Sequence, residues 1–149
     1  MAEAALTVEN IEVVYNHSVQ ALRGLSIDVP DGQIVALLGS NGAGKTTTLK
    51  AASGVLPYEK GRVAAGQIRF FGADIAGREA YQLARSGMAH VREGRHVFGD
   101  MTVEENLVAA GNALIGRQRG DVDADKVFDY FPRLRERRKQ LAGYLSGGE

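Results

Sequence analysis

The sequence predicts an α/β fold organised around an anion-binding loop, and three features of the chain predict it. The apolar segment Ile34-Val35-Ala36-Leu37-Leu38 runs into a glycine-rich loop and then into a helix-compatible stretch. Two segments rich in β-branched residues precede it. After Glu93 the character of the chain turns helical.

Residues 6–15 and 22–29 are the β-branched segments. In the second, Leu25, Ile27 and Val29 alternate with Ser26 and Asp28, the period-two pattern of a half-buried strand. Both are predicted as antiparallel strands, and Pro30-Asp31-Gly32 as a turn. Residues 34–38 lack alternation, as a parallel-sheet strand covered on both faces must. A helix is predicted over 45–53, stopped by Gly54. Residues 56–66 contain Pro57, Gly61 and Gly66 and read as a loop leading to a strand at 67–71. A helix over 78–86 ends at Gly87, and 88–91 is a short strand. Thr102-Val103-Glu104-Glu105 has the spacing of a capping box and starts a helix carrying Leu107 and Leu114. A second helix over 124–131 places Val127, Phe128 and Phe131 on one face, with Pro132 as a stop.

Composition narrows the function classes. The 149 residues suffice for one domain with a core, and 44% hydrophobic with 24% charged residues is ordinary for a folded soluble chain. With 18 basic and 18 acidic side chains the formal charge is zero, so no overall field draws the chain to nucleic acid or anionic lipid. The cluster Arg133, Arg135, Arg137, Arg138 and Lys139, interrupted by Glu136, reads as a solvated surface rather than a nucleic-acid patch. Cysteine is absent, which removes disulfides and thiolate chemistry. His17, His90 and His96 lack metal-ligand spacing, and Asp121, Asp123 and Asp125 lack the glycine and terminal glutamate of a calcium loop. The longest apolar run is too short for a bilayer, and the N-terminus, with Glu3 and no basic region, does not read as a signal peptide. A cytosolic protein is expected.

The chemistry concentrates at Gly39-Ser40-Asn41-Gly42-Ala43-Gly44-Lys45-Thr46, which matches G-x-x-x-x-G-K-[ST]. Backbone N–H groups can converge on an anion there because no β-carbons block them. The helix opening at Lys45 adds unsatisfied N–H groups and its positive dipole end. Lys45 is a point charge for the β- and γ-phosphates, the Thr46 hydroxyl can ligate magnesium, and Thr47 is placed for the α-phosphate. A chance glycine-rich turn is the competing reading, and the strand before and helix after the loop speak against it.

The last five residues, Leu145-Ser146-Gly147-Gly148-Glu149, resemble the signature sequence of ABC-transporter ATPases. His90-Val91-Arg92-Glu93-Gly94-Arg95 and the stretch from Phe98 to Leu107 look most like the ATPase subunits of importers for branched-chain and other hydrophobic amino acids. The resemblance covers essentially the whole chain. It implies a P-loop NTPase core of the ABC type with an antiparallel β subdomain, together spanning 1–93, and an α-helical subdomain over 94–149 that reaches the signature motif.

The resemblance also implies site roles. Tyr15 falls where the family stacks an aromatic ring on adenine, with a core strand tyrosine as the alternative. Glu93 occupies the position of the glutamine that touches magnesium and the attacking water in most members, with a solvated loop acid as the alternative. Arg92 replaces the usual proline before it. Ser146, Gly147 and Gly148 meet the ATP of an opposite subunit, since two such ATPases pack head to tail, with an exposed tail as the alternative. ATP and magnesium are the implied ligands. A second ATPase subunit and integral membrane permease subunits are the implied partners, on the cytoplasmic face of the membrane.

No apolar run ending in Asp-Glu follows the signature motif within these residues, so the chain reads as a truncated, N-terminal portion of a longer ATPase that binds ATP without hydrolysing it. Strands at 34–38 and 88–91 are then expected to lack neighbours, leaving apolar faces uncovered. A non-catalytic nucleotide-binding module, or a soluble ABC ATPase outside transport, are the rival readings.

Overall fold

The computed structural model of the chain describes residues 4–113 and 124–148. It divides into two compact units, Met1–Leu83 and Ala84–Glu149. The first holds strands β1 (Ala4–Tyr15), β2 (Val19–Pro30), β3 (Gly61–Phe70) and β4 (Ala73–Asp74) with helix α1 (Lys45–Ala52). Helix α2 (Ala80–Arg85) follows, and α3 (Val103–Ala113), α4 (Ala124–Tyr130) and α5 (Pro132–Glu136) belong to the second unit.

The four strands form one sheet in the order β2-β1-β3-β4, antiparallel throughout. In β1, Val8, Ile11 and Val13 are all buried, although Val8 and Ile11 are three residues apart and face opposite ways in a regular strand. A bulge reconciles them. Between Val8 and Ile11 the register against β2 advances by only two residues, from Ile27 to Leu25, and Asn10 takes a φ of 48°. The Asn10 N–H is satisfied by the Ser26 hydroxyl at 2.8 Å. Leu22, Ile68, Leu56, Ile75 and Leu83 complete the core of this unit, and α1 packs on the sheet through the small side chains of Ala51 and Ala52.

Two predicted strands are not formed. Residues 34–38 are irregular, with Ile34 99% and Leu38 87% exposed, and 88–91 are irregular with Val91 92% exposed. A strand that is apolar on both faces is stable only between parallel neighbours, and every ladder among the described residues is antiparallel. The loop predicted over 56–66 is corrected as well. Its start is a 3-10 turn at Leu56–Glu59, and the rest is the first half of β3, paired through Tyr15↔Gly61, Val14↔Arg62 and Val13↔Val63. Cross-strand pairing with β1 outweighs the poor strand propensity of the glycines there.

In the second unit α3 starts as predicted. Glu105 Oε2 accepts from the Thr102 N–H at 2.7 Å and from the Thr102 hydroxyl at 2.8 Å, while the Glu105 N–H donates to Thr102 Oγ1 at 3.2 Å. Leu107 is half-buried on this helix, whereas Leu114, Asp121 and Asp123 lie outside the described residues. The Thr102 N–H, and after it the Thr102 hydroxyl, hold the Glu105 carboxyl below the usual carboxylate range. A lowered folded-state value means that this contribution is fully present above the unfolded pKa and is lost as pH falls through the folded one. Thr102→Ala should cost about 1 kcal/mol, typical of an N-cap. Glu105→Gln, which removes the titrating carboxyl, should flatten the loss of helical circular dichroism on acidification from about pH 6 to about pH 3.

Phe128 is buried and Val127 half-buried on α4, but Phe131 is 59% exposed, against the single face predicted for the three. The reason is that Pro132 opens a helix rather than merely ending one. Phe131 becomes the N-cap of α5 with φ −129° and ψ 73°, which turns its side chain away from the α4 stripe. On α5 the Arg135 guanidinium bonds Asp129 at 2.7 Å and lies 5.8 Å over the Phe128 ring, so this part of the basic cluster has an intramolecular role. No helix among the described residues is long and apolar enough to cross a membrane.

Candidate functional site

The site is built where the chain between β2 and α1 turns into the helix. Gly44 is the N-cap of α1 with φ 89°, in the left-handed region, and a β-carbon there would collide with Leu22 Cδ2. Only glycine meets both conditions without strain. Behind it the helix starts firmly. Both the N–H and the hydroxyl of Thr48 donate to the Gly44 carbonyl, at 2.8 and 2.9 Å. The first turn of α1 carries neither a side-chain cap nor an acidic residue. Its leading N–H groups, which have no acceptor within a helix, therefore face outward with the positive end of the dipole.

The loop itself is tied into a compact arch. The Ala43 N–H donates to the Ser40 carbonyl at 3.2 Å, and Lys45 Nζ donates to the carbonyls of Gly39 and Ser40, each at 2.7 Å. The ammonium is thereby held over the mouth of the loop by neutral acceptors alone, so an incoming phosphate can replace them with a stronger charge-assisted partner. Asn41, Gly42 and Thr46 are exposed and Thr47 is half-buried. Uncapped amides, a cation at the mouth and a first turn of α1 without an acidic residue fit a phosphate group. The Thr46 hydroxyl, in that first turn, is the oxygen a phosphate-bound magnesium could share.

Of the other predicted residues, Tyr15 ends β1 in this same unit. A β-carbon on Gly61 would stand 2.7 Å from its Cε1, so the ring lies across the glycine. Glu93 sits in an exposed irregular segment of the second unit, as do Ser146, Gly147 and Gly148. No group of three or more His, Asp or Glu among the described residues forms a metal cluster by itself. Sequence reasoning missed Leu22, whose methyl fills the space beside Gly44, and Arg95, whose guanidinium reaches the carbonyl of Leu145 at 2.7 Å. Neither contact has a local sequence signal.

With this geometry in place, residues 22–149 match the family model described as ABC transporter. The chain belongs to this family. It is 41% identical over 144 residues to the high-affinity branched-chain amino acid transport ATP-binding protein BraG of Pseudomonas aeruginosa, covering 97% of this chain and 59% of BraG. A probable branched-chain amino acid transport ATP-binding protein, LivF of Archaeoglobus fulgidus, is 35% identical over 82% of this chain and 49% of its own. The lipopolysaccharide export system ATP-binding protein LptB of Escherichia coli is 32% identical over 98% of this chain and 58% of its own.

Among solved structures, an ATP-binding cassette of an ABC transporter in its ADP conformation superimposes with a TM-score of 0.76 at 30% identity, covering 97% of this chain and 60% of that one. A nucleotide-free ATP-binding cassette gives 0.75 at 29% identity, with the same coverage. The fold is therefore that of the α/β P-loop ATPase of ABC transporters, seen here over its antiparallel sheet, phosphate loop and helical portion. The chain spans between about half and three-fifths of the length of these relatives.

Proposed function

We propose that this chain is the ATP-holding portion of an importer ATPase subunit, which couples ATP binding and hydrolysis to uptake of branched-chain or related amino acids. The observation that carries the reading is the 41% identity to BraG over nearly the whole chain. In this reading the loop amides and the α1 N-terminus hold the β- and γ-phosphates. Lys45 leaves the carbonyls of Gly39 and Ser40 for the phosphate oxygens, and Thr47 contacts the α-phosphate. Tyr15 stacks on adenine. The Thr46 hydroxyl and, by the family resemblance, Glu93 are the residues that would hold magnesium, whose charge would neutralise the phosphates.

Ser146, Gly147 and Gly148 serve a second subunit packed head to tail, and the helical portion transmits its closure to membrane permease subunits at the cytoplasmic face. The test uses the whole protein, assembled with its membrane subunits in vesicles, and reads ATP-dependent uptake of radiolabelled leucine, isoleucine or valine. The Lys45→Ala assembly should fall to the background seen without ATP. Unchanged uptake in that variant would sink the proposal.

A further inference from the structure

We propose that Arg95 is a positioning residue for the signature turn at Ser146, Gly147 and Gly148, a role that rests on the ATPase reading above. Arg95 lies in the irregular segment that also carries Glu93, yet its Nη1 donates to the Leu145 carbonyl, fifty residues further along the chain, at 2.7 Å. Its Nη2 lies 3.9 Å from the point where a β-carbon of Gly147 would stand, so the guanidinium runs from the start of the turn to its middle. The planar fork suits this task, because it offers several donors in one fixed geometry.

The chain on either side of that contact is already docked by backbone. The Gly143 N–H donates to the Gly99 carbonyl at 3.1 Å, and the Ala142 N–H to the Met101 carbonyl at 2.9 Å. The approach is so close that a β-carbon on Gly143 would stand 3.1 Å from the Gly99 oxygen. Residues 99–101 thus fix the chain at Ala142 and Gly143. Ser146, Gly147 and Gly148 are themselves exposed. Arg95 extends the docking onto the turn, and so ties the segment holding Glu93 to the segment offered to a partner's nucleotide.

The competing role for an exposed arginine is simple stabilisation of the helical portion, and kinetics of the whole protein separate the two. Arg95→Ala should lower kcat for ATP hydrolysis about tenfold, the size expected when a hydrogen bond from a charged donor is lost. ATP-dependent dimerisation should weaken in parallel, while the affinity of the isolated subunit for a fluorescent ATP analogue stays unchanged. Arg95→Lys should recover part of the loss. In a Ser146→Ala background, Arg95→Ala should add no more than about a twofold further loss, because residues acting as one unit are not additive.

Wild-type kcat in Arg95→Ala would overturn the proposal, as would a full multiplicative loss in the double variant or a matching loss of nucleotide affinity. A wild-type protein that hydrolyses no ATP would overturn the ATPase reading, and this proposal with it.

Discussion

Lys45→Ala should weaken ATP binding by about 10- to 100-fold, since a hydrogen bond to a charged group contributes roughly 1.5–3 kcal/mol. The variant should still fold. The bonds that Lys45 makes in this structure, to the carbonyls of Gly39 and Ser40, lie on an exposed loop, and water replaces them when the ammonium is removed. The loss therefore falls on binding. Titration calorimetry of ATP into both proteins gives the affinities, and thermal denaturation provides the control. Equal affinities would show that the cation at the loop mouth does not meet the phosphates.

Gly66→Ala should destabilise the first unit by about 3 kcal/mol or more, which places it among the large single-residue effects. Gly66 has φ 86°, and a β-carbon there would overlap the carbonyl oxygens of Glu9 and Asn10. Those are backbone atoms of β1, at the bulge that brings Val8 and Ile11 to one face, so no side-chain rotation relieves the overlap. Gly72→Ala separates the two sources of cost. Gly72 has φ 74° with nothing within 4 Å of its β-carbon position, so it bears the left-handed penalty alone, about 1–2 kcal/mol. Denaturant unfolding should place Gly66→Ala well below Gly72→Ala. Equal midpoints would mean that the strands separate there at no cost.

The contrast between these glycines bears on what the sequence could reveal. The glycine-rich loop running into a helix at Lys45 was legible because its requirements are local: the glycines, Lys45 and the helix start lie within eight consecutive residues. The capping box at Thr102 and Glu105 was legible for the same reason, two side chains one helical turn apart. The first half of β3 was not. Its glycines read as loop, and the partner that makes it a strand is β1, some fifty residues earlier. Residues 34–38 illustrate the converse, since their composition states the environment a segment needs and not whether neighbours supply it. Phe131 went wrong through Pro132, which stops one helix and starts another with equal ease. Arg95 is the extreme case, as its contact with Leu145 has no trace in either local pattern.

The two units also bear different parts of the proposed function. The first holds the phosphate loop and Tyr15 on or beside the antiparallel sheet, and the second holds Glu93, Arg95 and the signature turn. On the proposed reading the phosphates and adenine are met by residues of the first unit, and Glu93 of the second is the further residue proposed for magnesium. The residues proposed to face a partner's nucleotide, Ser146, Gly147 and Gly148, all lie in the second.

The most direct test of the phosphate-loop assignment is an amide chemical-shift titration of the isotopically labelled chain with ATP. The largest shifts are expected at Gly42, Gly44, Lys45 and Thr46, with a further change at Tyr15 from adenine, and they should vanish at the same ATP concentration in Lys45→Ala. Shifts centred elsewhere, or an identical pattern in the variant, would contradict the assignment.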